Sequence, residues 1–133
     1  MKRLGLASAP LEPYRQAAAR GVLALPYCER CAAWQWPPRA VCSRCPEPPG
    51  WRLASGNGRI ATWSVVARAP RAELQRDAPY IVAFIDLDEG VRMFSRITAT
   101  DRSEVRAGAR VRCVFEAWSD PAVPLPVFVI AEG

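Results

Sequence analysis

Cys28-Glu-Arg-Cys31-Ala-Ala-Trp-Gln-Trp-Pro-Pro-Arg-Ala-Val-Cys42-Ser-Arg-Cys45 holds two Cys-x-x-Cys pairs separated by the ten residues 32–41. Ten residues are enough for two short strands and a turn, so the pairs can meet as facing knuckles and offer four thiolates to one tetrahedral ion. Zinc fits such a set best, one ion per chain, because four sulfur ligands leave no open position and suit a structural site. An iron centre in the same cage, a redox pair and a ribbon without metal are the alternatives that these residues leave open. Knuckles of this kind often place glycine after the second cysteine, where the backbone wraps the sulfur; here Ala32 follows Cys31 and Pro46 follows Cys45. Pro46, Pro48, Pro49 and Gly50 then close the segment, so residues 22–50 are expected to form one small ribbon.

Working outward, residues 11–21 carry a proline early, strong helix formers next and a glycine stop, which predicts a short helix with Leu11, Tyr14 and Ala18 on one face. A helix this short needs a surface to dock on. After Trp51 the pattern becomes that of strands. Ser55-Gly-Asn-Gly58 is a turn signal, and the stretch from Arg59 to Val66 sets Ile60, Thr62, Ser64 and Val66 against Ala61, Trp63 and Val65. Residues 67–79 read as a loop. Strands are expected at 80–88 and 91–97 around a Glu89-Gly90 turn, and again from Arg110 to Trp118 and Pro126 to Ala131. Asp101-Arg-Ser-Glu-Val-Arg reads as a capped helical turn ending near Gly108. The fold class is therefore mostly β: an N-terminal helical segment at 1–21, the four-cysteine ribbon at 22–50, and at 51–133 a five-stranded barrel of the OB type, with an SH3-like barrel or a sandwich as alternatives.

Composition removes much chemistry. The chain has 133 residues and no histidine, so a Ser-His-Asp triad, a Cys-His dyad and a histidine-ligated zinc are impossible within it. Its net charge of +5 is concentrated in residues 1–50, with seven basic and three acidic side chains. Four thiolates and one divalent ion would lower the total to +3, which argues against binding nucleic acid through phosphate attraction alone. No apolar run approaches the 18 or so residues that span a bilayer, and five cysteines with four in spaced pairs point to metal in a reducing compartment. A cytoplasmic protein is expected. Cys113 lies within a strand pattern with no histidine to activate it and reads as core. Asp86, Asp88 and Glu89 read as solvated carboxylates at a strand end and turn.

The order helix, four-cysteine ribbon, barrel resembles the DUF35 family, a rubredoxin-like zinc ribbon joined to an OB-fold and associated with acyl-CoA metabolism. Its carriers are the two cysteine pairs with Pro37-Pro38-Arg39 between them, Gly56-Asn-Gly58, Ala78-Pro79-Tyr80-Ile-Val-Ala, Leu87-Asp-Glu-Gly-Val-Arg92, Val111-Arg-Cys-Val-Phe-Glu116 and Leu125-Pro-Val-Phe128. The resemblance implies a non-catalytic accessory subunit in a hetero-oligomer with a thiolase-like, lipid-transfer-protein-like aldolase or MaoC-like hydratase protein, helping to hold an acyl-CoA. CoA carries phosphates and an adenine, so a surface for it needs arginines and a stacking aromatic. Arg39, Arg44, Trp34 and Trp36 on the ribbon, with Arg15 on the helix, are the candidates; their alternative roles are covering the ribbon core or an interface and plain solvated charge. Trp51 and Pro124-Leu-Pro-Val-Phe128 are expected as further interface anchors. The competing class is a single-stranded nucleic-acid module, for which Trp63 and Tyr80 on one sheet face would stack bases.

Overall fold

The computed structural model describes residues 11–67, 79–99, 101–116 and 125–131. The expected loop at 67–79 and the end of the strand running to Trp118 lie for the most part outside these residues.

The helix forms where the residue pattern places it. α1, Glu12–Ala19, has proline in its first turn and buries Tyr14, Ala17 and Ala18, and Gly21 adopts φ +77° just past its end, a conformation that costs glycine little. The buried face of α1 packs on a three-stranded antiparallel sheet of β1 (Ala24–Cys28), β2 (Ala33–Trp34) and β3 (Gly50–Leu53), in the order β2-β1-β3. β1 is central because Tyr27 and Cys28 pair with Trp34 and Ala33 on one side, while Ala24 to Tyr27 pair with Leu53 to Gly50 on the other. β3, which spans the division expected after residue 50, pairs with β1 in this sheet.

The second unit is a closed barrel of β4 (Asn57–Val66), β5 (Tyr80–Leu87), β6 (Arg92–Thr98), β7 (Arg110–Glu116) and β8 (Leu125–Ile130), in the cyclic order β4-β5-β6-β8-β7. Only β6 and β8 run parallel. A 3-10 turn at Arg102–Glu104 joins the third and fourth barrel strands, capped as expected by Asp101, which accepts from the Ser103 backbone N–H at 3.0 Å. Closure in this order is the OB-fold and excludes the SH3-like and sandwich alternatives.

Two expectations about β4 are corrected. The alternation was read as unbroken, but a bulge between Ile60 and Thr62 shifts the register, so Ile60 pairs with Ile85 inside the barrel while Thr62 pairs with exposed Phe84. One extra residue reverses the facing of everything beyond it. Trp63 pairs with Ala83 and Val66 with Tyr80, an odd spacing that sends Trp63 and Tyr80 to opposite faces. They do not share one aromatic face, and the Arg96 guanidinium lies 4.6 Å from the centroid of the Tyr80 ring.

One core serves both units. Tyr14, Leu23 and Leu25 belong to the same buried cluster as Ile60, Ile85, Met93, Val111 and Phe128. Tyr14 sits at the junction, its ring 6.4 Å from those of Trp36 and Trp51 and 6.2 Å from that of Phe115. The anchors expected at Trp51 and Phe128 are accounted for here: Trp51 packs on Tyr14, and Val127 and Phe128 are buried in the barrel. Phe84 and Phe94 are exposed, 42% and 59%, with their rings meeting at 5.0 Å across β5 and β6, and Val41, Leu53 and Trp63 are exposed as well.

The barrel closes through Gly58, which pairs with Leu87 on β5 and Val111 on β7. A Cβ built there would meet the Asp86 carbonyl oxygen at 2.7 Å and Ile85 Cγ2 at 2.9 Å, and a neighbouring backbone cannot give way cheaply. Gly58→Ala is expected to destabilise the protein by about 1–3 kcal/mol through overpacking, read as a lower denaturant midpoint at unchanged slope.

Candidate metal centre and the cavity beside it

Cys28 ends β1, Cys31 follows in the turn to β2, and Cys42 and Cys45 come from the second knuckle. All four sulfurs lie within 4.8 Å of one another. The Cys28–Cys45 and Cys31–Cys42 separations are 3.7 and 3.9 Å, close to the edge of about 3.8 Å of a tetrahedron with 2.3 Å zinc–sulfur bonds. None is in a disulfide, and the residues are positioned to bind a metal ion. Backbone N–H groups point at the cage as well: Cys31 donates to Cys28 Sγ at 3.4 Å and Arg44 to Cys42 Sγ at 3.3 Å. Gln35 adds a side-chain donor, Nε2 to Cys42 Sγ at 2.8 Å. With no ion bound, the Cys42 thiol is lowered to about 6, chiefly by the Arg44 N–H and then by the Gln35 amide, against the opposing effect of burial. A hydrogen bond between Cys31 and Cys45 leads the effects that push the Cys31 thiol up to about 12. A metal ion held by Cys28, Cys31, Cys42 and Cys45 would be bound through their thiolate forms.

The backbone around the first knuckle shows why glycine is favoured there: Ala32 adopts φ +51°, the left-handed region that L side chains resist.

Beside the cage, at the seam between ribbon and barrel, is a cavity of about 220 Å³ lined by residues 33–36, Arg39, Ser43, Arg44 and, from the barrel, Val91 and Arg92. Four of the five candidate ligand residues, Trp34, Trp36, Arg39 and Arg44, meet in its wall. Arg15 does not; it stays on α1, with Nη1 3.3 Å from Glu12 Oε1. The tryptophans are half-buried and each has one side on protein, Trp34 edge-on to Tyr27 at 5.2 Å and Trp36 near Tyr14. The Arg39 and Arg44 side chains are exposed. The sequence offered no sign of Arg92 or Gln35 in this wall, because their placement depends on how the ribbon docks against the barrel.

Elsewhere the titratable groups are committed to structure. In the acidic turn Asp86 and Asp88 are exposed, as expected, and are also paired: Asp86 takes a bidentate pair from Arg92 at 2.7 and 3.1 Å, Asp88 one from Arg110 at 3.0 and 3.2 Å, and Glu89 accepts the Ser55 N–H at 2.7 Å. Hydrogen bonding from Arg92 and from Arg110 holds Asp86 and Asp88 below the usual carboxylate range, so neither serves as a proton donor near neutrality. Burial pushes the Cys113 thiol up to about 12, which keeps it neutral and a poor nucleophile.

Comparison with known proteins agrees with both halves. A family model described as ChsH2, rubredoxin-like zinc ribbon domain, matches residues 15–48, and one described as ChsH2, C-terminal OB-fold domain, matches residues 51–116. A DUF35 domain-containing scaffold protein of Methanocaldococcus jannaschii is 33% identical over 66% of this chain and 63% of its own length. A probable enoyl-CoA hydratase alpha subunit of Thermomonospora curvata is 28% identical over 85% of this chain but only 35% of its own. The chain thus spans less than two thirds of either relative. Among solved structures, a chain of the Ltp2-ChsH2(DUF35) aldolase superposes with a TM-score of 0.75 at 25% identity, over 92% of this chain and 94% of that one.

Two outcomes follow. Ala32→Gly is expected to stabilise the protein by about 1 kcal/mol by relieving the left-handed strain, seen as a raised denaturant midpoint. Cys113→Val is expected to cost about 1 kcal/mol, as a near-isosteric exchange does, and to leave metal content by elemental analysis unchanged.

Proposed function

The chain belongs to the DUF35 family, and we propose that it is a non-catalytic accessory subunit, held together by one zinc ion on Cys28, Cys31, Cys42 and Cys45, that assembles with an acyl-CoA enzyme and helps to hold the acyl-CoA. The partner classes are a thiolase-like or lipid-transfer-protein-like aldolase and a MaoC-like hydratase. The similarity to an aldolase chain and to a hydratase alpha subunit supports this range.

The observation that carries the reading is the cavity at the seam. Trp34 and Trp36 supply aromatic surface for stacking, and Arg39 and Arg44 supply exposed guanidinium forks suited to phosphate oxygens. At about 220 Å³ the cavity is smaller than the roughly 300 Å³ at which drug-sized ligand sites begin. It has room for a fragment such as an adenine or a pyrophosphate, which leaves the rest of a CoA outside it for a partner to contact. The described residues around it contain no general acid–base pair: Arg92 is engaged with Asp86, and the cysteines face the metal cage. The chain's own work is binding and orienting, and the chemistry belongs to the partner.

The test mixes the purified chain with an aldolase-type, thiolase-type or hydratase-type subunit and measures complex mass and acyl-CoA turnover. The chain alone is expected to be inactive and to stimulate its partner. Arg39→Ala with Arg44→Ala is expected to raise KM for acyl-CoA about tenfold or more, the effect of losing one or two charge-assisted hydrogen bonds, with complex mass unchanged. A chain that neither binds nor stimulates any such subunit, yet binds single-stranded nucleic acid at physiological salt, overturns the reading.

A further inference from the structure

Among the described residues, Gln35 provides the side chain outside the four cysteines that hydrogen-bonds a sulfur of the cage, through Nε2 to Cys42 Sγ at 2.8 Å. It is 8% exposed. Its backbone is pinned independently, since the Gln35 N–H donates to the Pro26 carbonyl at 2.8 Å and the residue directly follows β2, which is in register with the Tyr27-Cys28 end of β1. The amide is therefore placed by the same strand that carries Cys28. Cys42 has no such support. It lies outside any strand or helix, and its N–H goes to Glu47 within the same knuckle. Gln35 is thus a link from the ordered sheet to the second knuckle.

The amide's orientation carries the argument further. A sulfur ligand accepts hydrogen bonds, so Nε2 must face it, and Oε1 is then left buried without a partner. A buried acceptor left unpaired is unfavourable. The arrangement persists because the other end of the same group donates to a sulfur that carries charge when it ligates a metal, and bonds to charged acceptors are the strong ones.

We propose that Gln35 is a positioning residue of the metal centre, fixing Cys42 Sγ in ligand geometry and remaining as an N–H donor on the metal-bound thiolate. Groups that orient a ligand from behind in this way tune metal sites generally. The role holds whatever partner or acyl group the chain meets, so it stands or falls apart from the accessory-subunit reading.

The test exchanges cobalt(II) into the native protein and into Gln35→Met, which keeps length and loses the donor. The expected result is a sulfur-to-cobalt charge-transfer band at lower energy in the variant, with about 10- to 100-fold weaker metal binding in competition with a chelator and four thiolates still bound. An unchanged band overturns the proposal even if binding weakens, since that is what a purely packing role would give. Should the variant fail to fold, native protein loaded with cadmium-113 decides. The Gln35 side-chain amide proton should show scalar coupling to the metal, and coupling confined to backbone amides overturns the proposal.

Discussion

β1 faces two demands at once. Leu23, just before it, and Leu25 within it enter the core shared with the barrel, while Cys28 at its far end enters the sulfur cage. A ribbon of about thirty residues cannot build a sufficient core of its own. It has two supports, the barrel's apolar interior at one end of β1 and the cage at the other, and everything between them is placed by this strand. β2 and β3 pair with it on either side, α1 covers it, and the cavity wall at Trp34 and Trp36 follows from where β2 ends. The sulfur cage and the cavity wall thus share one strand as their common support.

The cysteine pairs, the helix and the barrel strands were legible because each carries a local signal: fixed ligand spacing, a proline–glycine bracket, or β-branched alternation around turn residues. The Asp101 cap was legible for the same reason. What failed was long-range. Residues 51–53 were assigned to the barrel unit, and local signal could not show that they pair with β1 in the ribbon sheet. The bulge in β4 leaves no mark in Ile60-Ala-Thr-Trp, so the facing of Trp63 was misread. Phe84 and Phe94 could have been found by parity, since each lies out of phase with the buried series Ile81, Ala83, Ile85 and Met93, Ser95, Ile97. For the candidate site, the spacing named the four sulfurs and the ribbon's own tryptophans and arginines, whereas Arg92 came from docking and Arg15 was misplaced because sequence does not say which face of the sheet a helix covers.

The arginine-rich composition takes on a different meaning in three dimensions. Read as dispersed surface charge, it divides into arginines that lock acidic side chains, such as Arg92 on Asp86 and Arg110 on Asp88, and arginines at the seam, Arg39 and Arg44, that line the cavity. Exposed ion pairs contribute little stability individually. Their larger effect here is to define the turn between β5 and β6 from both sides, and with it the barrel's contribution to the cavity wall.

β8 sits between β6 and β7, although it follows both in sequence. Until Leu125–Ile130 slides in, β6 and β7 each present a bare row of backbone donors and acceptors, and the interior that Phe128 fills stands open. Such edges invite pairing with other chains; β7 and β8 are near neighbours in sequence, so the longer loop closures fall on the β6–β8 and β4–β7 pairings. A chain in which β8 has not yet docked is open along both strands, and that is the state in which it is most exposed to misassembly.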